Sequence, residues 1–191
     1  MKIVRFVLLL SMVGLLVMAQ TQHLGQHVFI NEEGAINLCV DAGLAVERLD
    51  SPYVPFVLYM GTDKGAATVT RENVFLIHND TAYNLPELKV FRSEYKGDSA
   101  DYRQYNQIYM GQESLVMTRL RDYRFEWAYD FFPPRASGRT VASQAGISNI
   151  IGFKTFAYFK NPGFKKGDQI LIKVIDRKNE NVFGACAVIL E

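Results

Sequence analysis

Residues 123–134 read YRFEWAYDFFPP, with an aromatic ring at every odd position: Tyr123, Phe125, Trp127, Tyr129 and Phe131. Strict alternation is the period of an extended strand, whose side chains point to opposite faces in turn, so the five rings are expected on one face. Arg124, Glu126 and Asp130 then supply the wet face of a half-buried strand. Burying each ring removes roughly 150 to 250 Å² from water at about 25 cal/mol per Å², several kcal/mol apiece, so a core strand is the expectation. The competing reading turns the same strand outward, as a flat platform for sugar rings. Tyr123 and Trp127 are the candidates to reach the rim, because each has a polar tip that wants a partner.

Strand signals continue on both sides of this stretch. AINLCVDAGLAVERL (residues 35–49) reads as an opening strand and YVPFVLYMGTD (53–63) as a second, long and apolar, with Pro55 inside it. Proline removes a ladder donor, which predicts an edge or a bulge there. ATVTRENVFLIHND (67–80) supplies β-branched and aromatic residues ending in a turn, and PELKVFRSEY (86–95) suits a short helix with proline and acidic residues in its first turn. Tyr102, Tyr105 and Tyr109 lie at helical spacing, and Asp98 or Ser99 is placed to cap their start. The chain closes with QILIKVID (169–176) and VFGACAVILE (182–191), joined by the polar turn RKNEN, which reads as an antiparallel hairpin. Seven or so strands with few helices predict a mainly β fold: an antiparallel β-sandwich with a short helical or irregular insertion near residues 86–118.

The stretches YVPFVLYMGTDKGAATVTRENVFLIHNDTAYNL, FFPPR and YFKNPGFKKGDQILIKVID together resemble small exported bacterial proteins with an immunoglobulin-like sandwich and no assigned activity. The resemblance implies that fold and transfers no catalytic residue.

The N-terminus, MKIVRFVLLLSMVGLLVMAQTQ, places Lys2 and Arg5 ahead of an apolar run from Phe6 to Met18, with Val17 and Ala19 at the minus-three and minus-one places of a cleavage site. That layout predicts a signal peptide over 1–19, an exported periplasmic or extracellular protein beginning at Gln20, and no stable membrane span after cleavage. A polar, flexible tail is expected over 20–34, followed by a single β-sandwich domain over 35–191. With 21 basic side chains against 20 acidic ones, two of the basic ones in the signal, the chain lacks the excess a nucleic-acid binder needs.

Cys39 and Cys186 are the two cysteines, close to the two ends of the exported chain. In an oxidising compartment they are a possible disulfide, yet both sit in apolar strand-like runs where free cysteine is a small buried hydrophobe, and both readings stay open. Neither has a histidine nearby to make it a nucleophile. His23 and His27 are four apart but in a stretch without other ligands, and no metal or cofactor is expected. Cleavage after Gln22 would put His23 at the N-terminus, where amine and ring could hold copper as in the copper polysaccharide monooxygenases, but Ala19 is the better site. His78 and Asp80 in LIHNDT have no serine in a nucleophile elbow to serve, and HND is ordinary turn chemistry. In RLRDYR (119–124), Arg119 and Arg121 would share a face of an extended strand and could meet an anionic polymer or a partner's acidic patch.

The leading expectation is therefore a non-catalytic exported β-sandwich taking part in protein–protein or cell-envelope assembly, with another envelope or secreted protein as partner. A glycan-binding module using Tyr123 and Trp127 is the alternative, with polysaccharide as ligand. A copper- or metal-dependent secreted enzyme comes third.

Overall fold

The computed structural model describes residues 20–191, and of residues 108–112 the backbone alone. The signal-peptide reading of residues 1–19 lies outside the described residues.

Six strands form the larger sheet: β1 (Gln22–Gly25), β2 (Val28–Asn31), β3 (Asn37–Asp41), β4 (Tyr53–Gly61), β12 (Ile151–Lys160) and β8 (Arg124–Glu126), in that order. Every pair in it is antiparallel except β12 with β8. A second, antiparallel sheet has the order β14 (Phe183–Ile189), β13 (Gln169–Ile175), β6 (Val74–His78), β7 (Thr81–Asn84). Two small ladders complete the set: β5 (Ala66–Thr70) antiparallel to β11 (Gln144–Ser148), and β9 (Tyr129–Asp130) parallel to β10 (Thr140–Val141). The helices are α1 (Gly43–Val46), α2 (Leu88–Glu94), α3 (Asp98–Gln104) and α4 (Met110–Arg119), the last two joined through a π turn at Tyr105–Tyr109. The chain is thus mainly β with several antiparallel sheets; α2, α3 and α4 fall where the insertion was expected, whereas α1 lies within residues 35–49, read as a strand throughout.

Strands β4 and β12 are buried along nearly their whole length because the large sheet is covered on both faces. Helical rings lie on one face: Phe91 of α2 packs on Tyr53 and Tyr158, and Tyr105 on Phe156. Residues of opposite parity face the other way, where Phe56 meets Phe159 and Phe153 meets Phe131. Strand β14 lies against β2 and β3, joining the second sheet to the first. A Cβ on Gly184 would overlap the backbone of Ile36, so glycine is what lets β14 come this close.

Three expectations are corrected. Residues 20–34 are no flexible tail: β1 and β2 make a hairpin through Gln26 and His27, both at positive φ (50° and 68°), and Val28–Asn31 are buried. Its two central residues are not the Asn-Gly or Gly pair that announces such hairpins, and the one glycine, Gly25 at φ 102°, stands just before them, which hid the turn in the sequence. Strand β4 is central in its sheet, and the edge expected at Pro55 is a local one. Pro55 faces Tyr158 on β12, while the β3 ladder ends at the pair Asp41 and Val57, so Pro55 lies beyond the strand that would have needed its N–H.

The aromatic ladder is the third. It breaks after Glu126 and resumes for two residues at Tyr129, so its rings do not share one face. Phe125 and Phe131 are buried, Tyr123 is half-buried, and Trp127 and Tyr129 are 45% and 42% exposed. Asp130, read as wet, is fully buried. Its carboxylate accepts from Phe156 N at 3.2 Å, Phe132 N at 2.9 Å and Thr155 Oγ1 at 2.7 Å, and pairs with Arg139 at 3.1 Å. An aspartate side chain thus takes over the edge of β12 where strand β8 stops, which is why the alternation fails at this residue.

Candidate functional site

Lys154 stands in the apolar run GFKTFAYF of β12, on the helix-facing side of the sheet, opposite Tyr59 of β4. It is 3% exposed, and its ammonium has a Glu113 carboxylate oxygen at 2.9 Å. Three rings enclose it: Trp127 with its centre at 4.3 Å, Tyr105 at 4.9 Å and Tyr59 at 5.1 Å. Burial pulls the Lys154 amine below its ordinary value, and the Glu113 charge opposes that pull. The Tyr59 and Tyr105 hydroxyls share a hydrogen bond of 2.7 Å, and burial raises both phenols far above their usual range.

Asp41 closes the cluster from the end of β3. Its Oδ1 accepts from Gly43 N at 2.9 Å, while Oδ2 is buried with no hydrogen bond of its own. Burial pushes the Asp41 carboxyl up to about 6, with the Gly43 amide, the Tyr105 hydroxyl and the Lys154 ammonium pulling the other way. The Lys154–Glu113 pair ties α4 to β12, a charged clamp holding the helical segment on the sheet.

Above that clamp the surface changes character. Trp127 lies over Lys154 and also under the Arg139 guanidinium at 5.5 Å. Beside it a groove of about 280 Å³ runs between Glu126 and Tyr129 on one wall and Val141–Gly146 on the other, with Gly152 and Phe153 as its floor. Among the described residues, two of the six large exposed hydrophobics, Tyr129 and Val141, line this groove, and two more, Trp127 and Ile151, are next in sequence to its lining residues Glu126 and Gly152. Gly152 admits the Phe125 ring so closely that a Cβ would overlap it, which sets the depth of the floor. Strand β8 ends its sheet and β11 belongs to a two-stranded ladder, so each keeps one edge without a neighbouring strand.

The residues singled out from the sequence are scattered. Tyr123 is tied into the fold: its hydroxyl accepts from Asn37 Nδ2 at 2.8 Å, its ring lies against Gly61, and burial raises its phenol. Arg119 is the last residue of a helix, not a strand, and ties α4 to the N-terminal hairpin through Glu32 at 3.0 Å and Gln22 at 2.7 Å. Arg121 follows in the turn and points to solvent, 4.0 Å from Asp122. The two arginines therefore share no strand face. Trp127 alone of the four borders the exposed patch. Cys39 and Cys186 stand as free, buried thiols on the facing strands β3 and β14, and burial raises both. His23 stacks on Phe29 at 4.6 Å, within the β1–β2 hairpin.

Sequence reasoning missed Lys154, Glu113 and Asp41. A lysine amid the apolar run GFKTFAYF was the available signal, since such a charge is stranded unless a partner meets it. His78 does pair with a carboxylate, Asp168 at 3.2 Å, but at the mouth of a shallow polar pocket next to the Asn79–Asp80 turn.

No protein-family model, curated protein or solved structure matches this chain.

Proposed function

We propose that this is an exported, non-catalytic protein of immunoglobulin-like sandwich type that docks another secreted or envelope protein through the Trp127–Ile151 patch. The observation that carries the reading is that Tyr129 and Val141 line one groove while exposed, with the exposed Trp127 and Ile151 next in sequence to its lining residues Glu126 and Gly152. A domain of this size has ample core in which to bury such residues, and an exposed cluster of them marks an interaction surface. A protein partner fits better than a glycan. Val141, Ile150 and Ile151 are aliphatic, and the Trp127 ring already carries Lys154 and Arg139 against it, whereas sugar stacking needs a free, flat aromatic face. The antiparallel sheets joined through β14 support the sandwich, and the N-terminal layout supports export from Gln20 onward.

The test is site-specific photocrosslinking from position 150 in the extracytoplasmic fraction. One dominant protein adduct is expected, lost when Ile151→Asp is added, while soluble envelope polysaccharides leave the Trp127 emission unchanged. Emission shifted by a polysaccharide, with no adduct sensitive to Ile151→Asp, would make the glycan reading the right one.

A further inference from the structure

The groove is chemically one-sided, and this describes what can lie in it. Glu126 is its one charged lining side chain, and the remaining lining is Tyr129, Val141, Ala142, Ser143, Gln144, the backbone of Ala145 to Gly146, and the Gly152–Phe153 floor. Among the described residues no lysine or arginine lines it. Arg139, against Trp127, is committed to Asp130 at 3.1 Å, and Arg177 donates to the lining Gln144 side chain at 3.3 Å. The flanking strands β8 and β11 each offer an edge with backbone groups that no strand takes. Open edges recognise extended chain, and the groove recognises every second side chain of it.

We infer that the groove takes an extended segment of the partner protein, with a basic side chain opposite Glu126 and aliphatic side chains on either side along the same face. This rests on the docking role proposed above and adds the chemistry of the segment recognised. Charge complementarity selects the basic residue: an acidic one would meet Glu126 without a counter-ion, and like-charge juxtaposition at an interface is strongly unfavourable. Tyr129 and Val141, exposed in the free chain, would be covered by the flanking aliphatic groups.

The probe is a labelled nonapeptide of alternating valine and threonine with lysine at its centre, compared with the same peptide carrying glutamate there, by fluorescence polarisation against the folded chain. The lysine peptide is expected to bind about tenfold tighter or more, and Glu126→Lys is expected to reverse the order. Gly146→Trp is the blocking variant. Gly146 lines the groove, and a Cβ there meets nothing within 4 Å, so a side chain at this position starts from open space at the groove. It should abolish binding and leave the circular dichroism and thermal midpoint unchanged.

Equal affinity for the two peptides, binding by neither, or binding indifferent to Gly146→Trp overturns the inference. If crosslinking from position 150 still captures a partner in an Ile151-sensitive way, the docking role survives and only the segment chemistry falls. If crosslinking also fails, both fall together.

Discussion

Lys154 Nζ lies 2.9 Å from the Glu113 carboxylate, the one on the central strand of the large sheet and the other on α4 of the helical insertion. The pair is unequal: the Lys154 side chain is 3% exposed and that of Glu113 18%. Removing one partner of a buried pair leaves the other charge to be hydrated or stranded, and only Glu113 has water within reach.

Glu113→Ala is therefore expected to destabilise by about 3 kcal/mol, because it strands the ammonium among Tyr59, Tyr105 and Trp127. Lys154→Met keeps the stem packed, frees a carboxylate that water can reach, and should cost less than about 1.5 kcal/mol. Urea midpoints of the two variants check the order. A larger loss for Lys154→Met would mean that the ring contacts, not the ion pair, hold the insertion in place.

Asp41 sets a pH dependence of known sign. Its carboxyl is raised to about 6 in the folded chain, against roughly 3.9 in an unfolded one. The folded state thus binds the proton more tightly. Stability from this group is fully present below about pH 4, falls as pH rises through about 6, and then levels off, a loss on the order of 2 to 3 kcal/mol. Asp41→Asn keeps an acceptor for Gly43 N and removes the titration. The variant should exceed the parent by about 2 kcal/mol at pH 7.5 and lose most of that lead at pH 4, as read from thermal midpoints across the range. A lead that does not change with pH would assign the gain to packing.

The parts of the fold that were legible are those where one physical rule acts alone. In β13 of the closing hairpin, alternation maps onto burial, with Ile170, Ile172 and Val174 inside and Leu171, Lys173 and Ile175 half-buried, whereas β14 is buried from Gly184 to Val188. In residues 88–119 the helical spacing of Tyr102 and Tyr105 survives as their joint packing on Phe156. Alternation misled at residues 123–131, because a strand that ends after three residues cannot keep its rings on one face, and because the Asp130 carboxylate replaces the ladder. The N-terminal hairpin was invisible since Gln26 and His27 take left-handed conformations that their residue types do not advertise. The exposed patch was only partly legible: Trp127 stood out, but Val141 comes from β10 and Ile150–Ile151 from the start of β12, a proximity that only the topology creates.

The N-terminal residues also guard an edge. Strand β14 ends its sheet and is apolar throughout, and its outward Ala187 N–H donates to Thr21 Oγ1 at 3.1 Å while its Phe183 carbonyl accepts from Ala35 N and Ile36 N, both at 3.1 Å. An apolar edge without charges is a template for another chain. Thr21→Val should cost about 1 kcal/mol. A chain begun at Gln22, which lacks Thr21 and keeps β1 and β2, should self-associate at concentrations where the one begun at Gln20 stays monomeric by size-exclusion chromatography with light scattering. Identical elution of the two would show that the edge is protected by something other than this segment.

The closing hairpin gives the sharpest test of sheet orientation. Ile172 is fully buried between cross-strand partners Cys186 and Leu76, themselves fully buried, so Ile172→Asp puts a carboxylate where no donor waits. The cost should be several kcal/mol, enough to unfold a domain of ordinary stability, about 5 to 15 kcal/mol. Its neighbour Lys173 points to the other face, half-buried, with its ammonium 4.6 Å from the Phe183 ring centre. Lys173→Asp loses that contact and should cost about 1 kcal/mol. Urea denaturation separates the two. Equal losses would mean that this sheet is dry on both faces, in which case a further layer must cover the Lys173 side.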